Sequence, residues 1–142
     1  MILGIRIQPR NTRIDMDKIC FLLDSNVIID TFNGKRNLLE FLDNFPNCEV
    51  YINPIVEIEV LAKPDITEQE ETEIRVLLDS FKWTEIDKPT REIAIKIRRA
   101  KELRLPDALI AASAINLNAT ILSNDPHLQD YQYHGFSVKS FV

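Results

Sequence analysis

Short apolar runs of strand length, each followed by a helix-starting stretch, most constrain how this chain can fold. Residues 19–23 contain no polar side chain, which is typical of a strand buried on both faces of a parallel sheet. The sequence predicts further strands at Glu49–Ile52, 83–86, Thr120–Leu122 and 136–142. Helix-length segments separate these strands, so parallel neighbours need right-handed crossovers. We therefore predict an α/β three-layer sandwich, with a central, mostly parallel sheet flanked by helices.

Capping residues and prolines predict where the helices begin and end. Asp24, Ser25 and Asn26 are helix-capping residue types directly after the first apolar run. Apolar residues recur at helical spacing from Ile74 to Phe81. The predicted helices are 27–32, 38–45, 54–63, one within 65–82, 89–103 and 106–117. We interpret residues 1–17 as an N-terminal extension, with Met16 as a natural alternative start, and residues 18–142 as a single domain.

Composition and charge exclude several classes of protein. The 142 residues are 45% hydrophobic and 27% charged, as in a globular domain, and no apolar run is long enough to span a membrane. The net charge of -5 excludes a bulk polyanion binder, so nucleic acid would need a local basic patch or bound cations. Cys20 and Cys48 lie in apolar stretches without a CxxC motif. They are interpreted as buried thiols in the cytoplasm.

Four acidic residues lie where the carboxyl ends of parallel strands would meet. Asp24 and Asp125 follow strands, Asp107 starts a helix, and Glu59 lies among apolar residues on another helix. Each aspartate taken alone is more simply a helix cap, and Glu59 could point to solvent. Together, four carboxylates at one edge repel unless protonated or bridged by cations. Oxygen ligands without His or Cys favour Mg²⁺ or Mn²⁺ over zinc.

Four segments in order resemble the motifs of PIN-domain ribonucleases. They are FLLDSNVIID at 21–30, INPIVEIEVLA at 52–62, LPDALIAASA at 105–114 and ILSND at 121–125. The resemblance covers residues 19 to about 141 and is most specific in the third segment. At this length the chain is similar to the VapC-type toxins of toxin–antitoxin pairs.

The resemblance implies metal-dependent hydrolysis of RNA, leaving a 5′-phosphate and a 3′-hydroxyl. The implied catalytic residues are Asp24, Glu59, Asp107 and Asp125, with Asp24, Asp107 and Asp125 as metal ligands and Ser123 as a hydrogen-bonding helper. Implied partners are RNA, a small antitoxin and a second copy of the chain. Glu57 and Glu59 lie on opposite sides of one helix, and the motif favours Glu59. The fourth motif leaves the choice between Asn124 and Asp125 open, and we take Asp125.

A cluster of cations immediately before Asp107 is the first candidate for contacting RNA. The candidate residues are Arg98, Arg99, Lys101 and Arg104. The simpler interpretation is a solvated helix face, because Ile93 and Ile97 form the stripe that would pack inward. Lys35 and Arg36 form a second candidate. We interpret His127 as a loop residue outside the site.

Two other functions compete with the nuclease. A phosphoryl-transfer receiver domain would also place Asp residues at strand ends around Mg²⁺. A receiver domain is expected to have an acidic pair after the first strand and a Lys near Asp125, and this chain has neither. The stronger alternative is a catalytically inactive PIN-like domain that binds RNA or protein. Replacing Asp107 by Asn separates the two, because it would abolish an activity but could stabilise a metal-free binder.

Overall fold

Five short parallel strands form one sheet at the centre of the structure, a computed structural model that describes residues 18–100, 102–131 and 137–141. The strands are β1 (Cys20–Leu23), β2 (Glu49–Ile52), β3 (Lys82–Trp83), β4 (Thr120–Leu122) and β5 (Ser137–Lys139). Their order across the sheet is β3-β2-β1-β4-β5, and every neighbouring pair is parallel. The predicted extension, residues 1–17, lies outside the described residues.

Seven helices connect the strands within this part of the chain. They are α1 (Ser25–Phe32), α2 (Leu38–Leu42), α3 (Pro54–Leu61), α4 (Glu68–Asp79), α5 (Lys88–Arg99), α6 (Leu105–Leu117) and α7 (Pro126–Asp130). The chain moves from β1 outward to β3 and then returns past β1 to β5. Right-handed crossovers therefore place α1–α4 on one face of the sheet and α5–α7 on the other. The predicted three-layer sandwich is confirmed.

The first apolar run forms the centre of the core. Phe21, Leu22 and Leu23 are each at most 1% exposed, because β1 has a strand on either side and helices on both faces. The Phe21 ring meets Phe45 edge-on at 5.2 Å between centroids, and Phe41 at 6.2 Å. Burial of apolar side chains such as these is the main driving force for folding. This core holds the carboxyl end of β1 in place.

Several predicted boundaries need correction. Helix α5 ends at Arg99, not near Leu103, and the strand predicted at 83–86 is only Lys82–Trp83. Helix α4 lies within the predicted range 65–82 and begins at Glu68, where Thr67 and Glu70 form a reciprocal capping box. Helix α7 was not predicted. Its five residues are too few to show a periodic pattern.

Two further findings concern the cysteines and the helix lengths. Cys20 and Cys48 are unpaired, and they are half-buried rather than fully buried as expected. Burial of Cys20, with Glu49 nearby, raises the pKa of its thiol to about 11.

No helix in the described ranges is both long enough and apolar enough to cross a membrane.

Candidate active site

The carboxyl ends of β1 and β4 bring residues from opposite ends of the chain together. These two strands pair in parallel with Leu23 beside Leu122. The next residues, Asp24 and Ser123, therefore leave the sheet side by side, and the Asp24 N–H donates to the Leu122 carbonyl at 3.1 Å. Asp24 is 4% exposed and Ser123 is fully buried. A carboxylate this buried needs hydrogen-bond partners.

Asp24 obtains those partners from its own turn and from the loop after β4. The Ser123 hydroxyl donates to Asp24 Oδ2 at 2.7 Å, and the Asn26 amide donates to the same oxygen at 3.1 Å. The Ser25 N–H donates to Asp24 Oδ1 at 2.8 Å, so Asp24 also caps α1. Ser123 Oγ in turn accepts the Asp125 N–H at 3.0 Å. The capping interpretation of Asp24 is therefore correct but incomplete.

Asp107 reaches the site from the first turn of α6. The helix begins at Leu105, so Asp107 is its third residue, and the interpretation of Asp107 as an N-cap is wrong. The cap position belongs to Arg104, whose side chain makes no capping bond and instead lies 3.7 Å from Asp107 Oδ2. Asp107 is only 8% exposed. The positive end of the helix dipole favours an ionised carboxylate at this position.

Burial raises the pKa of both Asp24 and Asp107, and neighbouring carboxylates raise each further. For Asp24 burial is the main cause; the Ser123 hydrogen bond opposes it, and the charges of Asp107 and Glu59 add to it. For Asp107 burial comes first and repulsion by Asp125 second, while Arg104 and His127 oppose them. Asp24 is thus within electrostatic reach of Asp107 and Glu59, and Asp107 is within reach of Asp125.

Glu59 and Asp125 lie at the margin of this cluster. Glu59 is exposed on α3, whereas Glu57 lies 3.7 Å from Arg75 of α4. Glu57 is therefore engaged away from Asp24, and Glu59 is the one whose charge acts on it. Asp125 is half-buried and caps α7 by accepting the His127 N–H at 2.9 Å.

Asn124 has a structural role that the sequence did not reveal. Its side-chain amide donates to the Phe141 carbonyl, and its side-chain oxygen accepts the Phe141 N–H, both at 2.8 Å. Its own N–H donates to Asn26 Oδ1 at 3.2 Å. Asn124 therefore anchors the end of the chain to the site, and Asp125 is the residue whose charge reaches Asp107.

Asn26, predicted only as a helix-capping residue, also bridges to the loop after β4. Its amide lies 3.1 Å from Asp24 Oδ2 and 3.2 Å from Ser123 Oγ. An amide two residues after a strand-end aspartate is a weak sequence signal, because such residues are common in turns.

The donor set fits a hard divalent cation held by few protein ligands. Within residues 18–100, 102–131 and 137–141, no group of three His, Cys, Asp or Glu is placed to hold a metal ion by itself. Mg²⁺ commonly keeps several waters and is held by one or two carboxylates together with substrate phosphates. Asp24 and Asp107 supply two buried carboxylates, and a cation would offset the burial and the smaller repulsion that raise their pKa values.

The predicted RNA-contacting cations lie near α5 and the start of α6. The Arg98 guanidinium donates to the Leu103 carbonyl at 2.8 Å, so Arg98 also stabilises the loop before α6. Arg98 and Arg99 line an open groove of about 600 Å³ with Arg91 and the apolar side chains of the α5–α6 face. Lys101 lies outside the described residues.

Comparison with known proteins identifies the family and supports the fold. The sequence matches the PIN domain family over residues 21–132. No curated protein sequence matches the chain closely enough to count as a relative. Among solved structures, VapBC2 from Rickettsia felis, bound to a promoter DNA fragment, is 20% identical with a TM-score of 0.73. That match covers 87% of this chain and 100% of the other.

Two further structures show the same fold. A toxin–antitoxin complex from Klebsiella pneumoniae is 26% identical, with a TM-score of 0.67, covering 81% of this chain and 93% of the other. DNA-bound VapBC from Salmonella typhimurium is 18% identical, with a TM-score of 0.68, covering 86% and 98%. The sequence match spans most of the chain, and the folds agree. The chain therefore belongs to the PIN domain family, whose members are generally nucleases.

Proposed function

We propose that this chain is a metal-dependent endoribonuclease that hydrolyses RNA phosphodiester bonds. The observation that carries the proposal is the pair of buried carboxylates, Asp24 and Asp107, which come from different elements; burial raises the pKa of both, and the charge of Asp107 raises that of Asp24 further. Such a pair destabilises a fold unless a cation or a proton compensates its charge. A divalent cation would, when bound, lower the pKa of a water and polarise a phosphoryl oxygen.

Four acidic residues and Ser123 have separate proposed roles in binding the cation. Asp24 and Asp107 would hold the cation, and Ser123 keeps Asp24 oriented through its 2.7 Å hydrogen bond. Asp125 and Glu59 would complete the acidic pocket directly or through water. The hydrogen bonds to Asp24 favour its ionised form, which is the form that binds a cation. In-line attack by water would leave a 5′-phosphate and a 3′-hydroxyl.

Cations at the α6 side of the pocket supply one path for RNA. Arg104 is exposed beside Asp107, and Arg99 is exposed at the end of α5. We propose that Arg98, Arg99, Lys101 and Arg104 contact phosphates there. Replacing Arg99 by Ala should weaken RNA binding and flatten its salt dependence, whereas an unchanged salt dependence would reject the patch.

We further propose that the protein is the toxin of a toxin–antitoxin pair and works in the cytoplasm. The named structural relatives include VapBC and other toxin–antitoxin complexes. A cleft of about 180 Å³ between α1, α3 and α4 is lined by apolar side chains next to Glu59. We propose that an apolar segment of a small antitoxin binds in that cleft, beside Glu59. The unpaired cysteines agree with a reducing compartment.

A second copy of the chain is the other proposed partner. Ile95 and Leu105 are 44% and 55% exposed on the α5–α6 face. Exposed apolar side chains that share a groove favour an interface. Light scattering should give a dimer mass, and Ile95→Glu should shift it to a monomer.

One observation favours a second candidate, a PIN domain that binds RNA or protein without cleaving it. The described carboxylates do not by themselves form a three-ligand metal site. The two functions differ in what Asp107→Asn does. If the wild-type protein cleaves RNA with metal and Asp107→Asn does not, the protein is an enzyme. If neither the wild-type protein nor Asp107→Asn cleaves RNA and both bind it equally well, the protein is a binding module.

The deciding experiment is cleavage of a mixed RNA pool in Mn²⁺, Mg²⁺ or EDTA, using the full chain freed of antitoxin. We expect cleavage that needs metal and is lost in Asp107→Asn. The same variant should unfold at a higher temperature in EDTA, because Asn removes a buried charge whose pKa is raised by burial and by Asp125. A folded wild-type protein that cuts no RNA with either metal would contradict the proposal.

A further inference from the structure

A tight turn after α1 presents two cations in a defined direction. Gly34 adopts a positive φ of 74°, which glycine accepts without strain. The Gly34 N–H donates to the Thr31 carbonyl at 3.1 Å and the Lys35 N–H to the Asp30 carbonyl at 2.9 Å. These two bonds form a Schellman motif. The backbone of Lys35 and Arg36 is therefore held in place rather than left to sample many directions.

The two cations line a pocket of about 330 Å³ with polar and aromatic side chains. The lining residues are Lys35, Arg36, Asn37, Glu40, Phe41, Asn44 and Phe141. A neighbouring depression shares Lys35, Arg36 and Asn37 and extends to Gly34. The pocket thus combines two cations, two amides and one carboxylate on an aromatic floor. Its net charge is positive, although the chain as a whole carries -5.

Hydrogen bonds connect this pocket to the acidic site. Phe141 lines the pocket, and both polar groups of its backbone bond to the Asn124 side chain. The Asn124 N–H donates to Asn26, and Asn26 donates to Asp24 Oδ2. Only two residues therefore separate the pocket wall from the carboxylate that is proposed to hold the cation. The pocket wall is thereby tied to the loop after β4, which also carries Ser123 and Asp125.

The charges of the pocket remain available for a ligand. Arg36 lies 3.8 Å from Asp30, a distance that is long for a strong ion pair, and its side chain is 40% exposed. Lys35 is exposed and has no carboxylate within ion-pair distance among the described residues. A cation beside an acidic cluster offsets the repulsion that a polyanion meets there.

We propose that this pocket binds a backbone phosphate of the RNA strand that lies across the acidic site, on one side of the bond to be cut. The inference rests on the proposed function and adds a substrate contact away from the α6 cations. Lys35 and Arg36 would supply the charge, and Asn37 and Asn44 would supply neutral donors. Phosphate contacts of this kind position the strand and carry no sequence information.

The test compares Lys35→Ala with Lys88→Ala in the full chain. Lys88 is an exposed lysine at the start of α5, where Thr90 accepts a hydrogen bond from Asn116. Asn116 lies nine residues after Asp107, roughly 14 Å further along α6. Lys88→Ala therefore removes the same charge far from the acids. Glu40→Gln is the opposite change, because it removes a negative charge from the pocket and so makes the pocket more positive.

Binding of a short fluorescent RNA is measured in EDTA over a range of salt, and its cleavage is measured with Mn²⁺. Loss of one phosphate contact lowers the salt slope for a single strand by about 0.7. We expect that decrease and about threefold weaker binding for Lys35→Ala, no change for Lys88→Ala, and tighter binding for Glu40→Gln. Lys35→Arg should restore the wild-type slope. Cleavage of an RNA too short to reach the pocket should not respond to Lys35→Ala.

The outcomes separate this inference from the proposed function. If wild-type protein neither binds nor cuts RNA, the proposed function fails and this inference fails with it. If wild-type protein binds RNA and Lys35→Ala keeps the wild-type slope and affinity, only the pocket assignment is overturned. If Lys35→Ala weakens binding of a polyglutamate peptide as much as binding of RNA, the pocket is a general anion-binding surface. That result would also overturn the assignment of the pocket to an RNA phosphate.

Discussion

Replacing Ser123 by Ala tests whether the site is built around an ionised Asp24. The Ser123 side chain is fully buried, and its hydroxyl donates to Asp24 Oδ2 at 2.7 Å while accepting the Asp125 N–H at 3.0 Å. A hydrogen bond to a charged group contributes about 1.5–3 kcal/mol, and a neutral one about 1 kcal/mol. Asn26 still donates to Asp24 in the variant, so the loss is only partial. We expect a decrease of about 2–3 kcal/mol in the free energy of unfolding.

Thermal unfolding followed by circular dichroism in EDTA measures this effect. For a chain of this length the decrease corresponds to a Tm lower by about 7–10 °C. Ser80→Ala is the matched control, because Ser80 makes only an exposed hydrogen bond to the Leu77 carbonyl. We expect the control to change stability by less than about 0.5 kcal/mol. In a double-mutant cycle with Asp24→Asn, the coupling should be at least about 1 kcal/mol.

The cost of Ser123→Ala should also depend on pH in a definite direction. The Ser123 bond lowers the pKa of Asp24, so it stabilises the fold when Asp24 is ionised. This contribution is present above the pKa of Asp24 and is lost as pH falls through it. Burial places that pKa above its ordinary value of 3.8, so the loss begins at milder acidity than for a free aspartate. A cost below about 0.5 kcal/mol, or one that stays constant with pH, would refute the reasoning.

Two further predictions concern the elements that hold the site in place. Gly34→Ala should lower the free energy of unfolding by about 1 kcal/mol, because a Cβ at Gly34 meets no atom within 4 Å and only the backbone conformation is strained. Gly34→Asn should lower it less. An unchanged Tm for Gly34→Ala would contradict the turn assignment. Asn53→Ala should lower stability by about 2–3 kcal/mol in urea titration, because Asn53 is fully buried, caps α3 through the Ile55 N–H and donates to the Ser113 hydroxyl. A second change, Ser113→Ala, should add little to it, and additive losses would argue against the pair.

The strands and most helices were predictable because their signals are local. The apolar run of β1 and the proline-started segments of α3 and α6 each fit one element type. The end of α6 also follows a local rule, because Asn118 closes the helix in the left-handed conformation, with a φ of 56°. The length of α5 was overestimated since apolar spacing continues past Ala100, although the helix does not.

The sequence suggested the residues of the candidate site, but not the contacts among them. The acids were recognisable because carboxylates at strand ends are unusual in a core and matched the family's motifs. The roles of Asn26 and Asn124 were missed because both residue types are common in turns. Their partners lie as far as 98 positions away in the chain, so no local pattern reports them.

The sequence by itself determined which segments pair into a buried sheet, which residue types follow the strands, and the family to which the chain belongs. These properties depend on hydrophobic periodicity, capping chemistry and motif order, which are written along the chain. Only the tertiary structure decided that Asp24 and Ser123, 99 positions apart, share a hydrogen bond, and that Lys35 lies in a pocket walled by Phe141. Strand order decides both contacts, because β4 crosses back to lie beside β1 and carries the end of the chain with it.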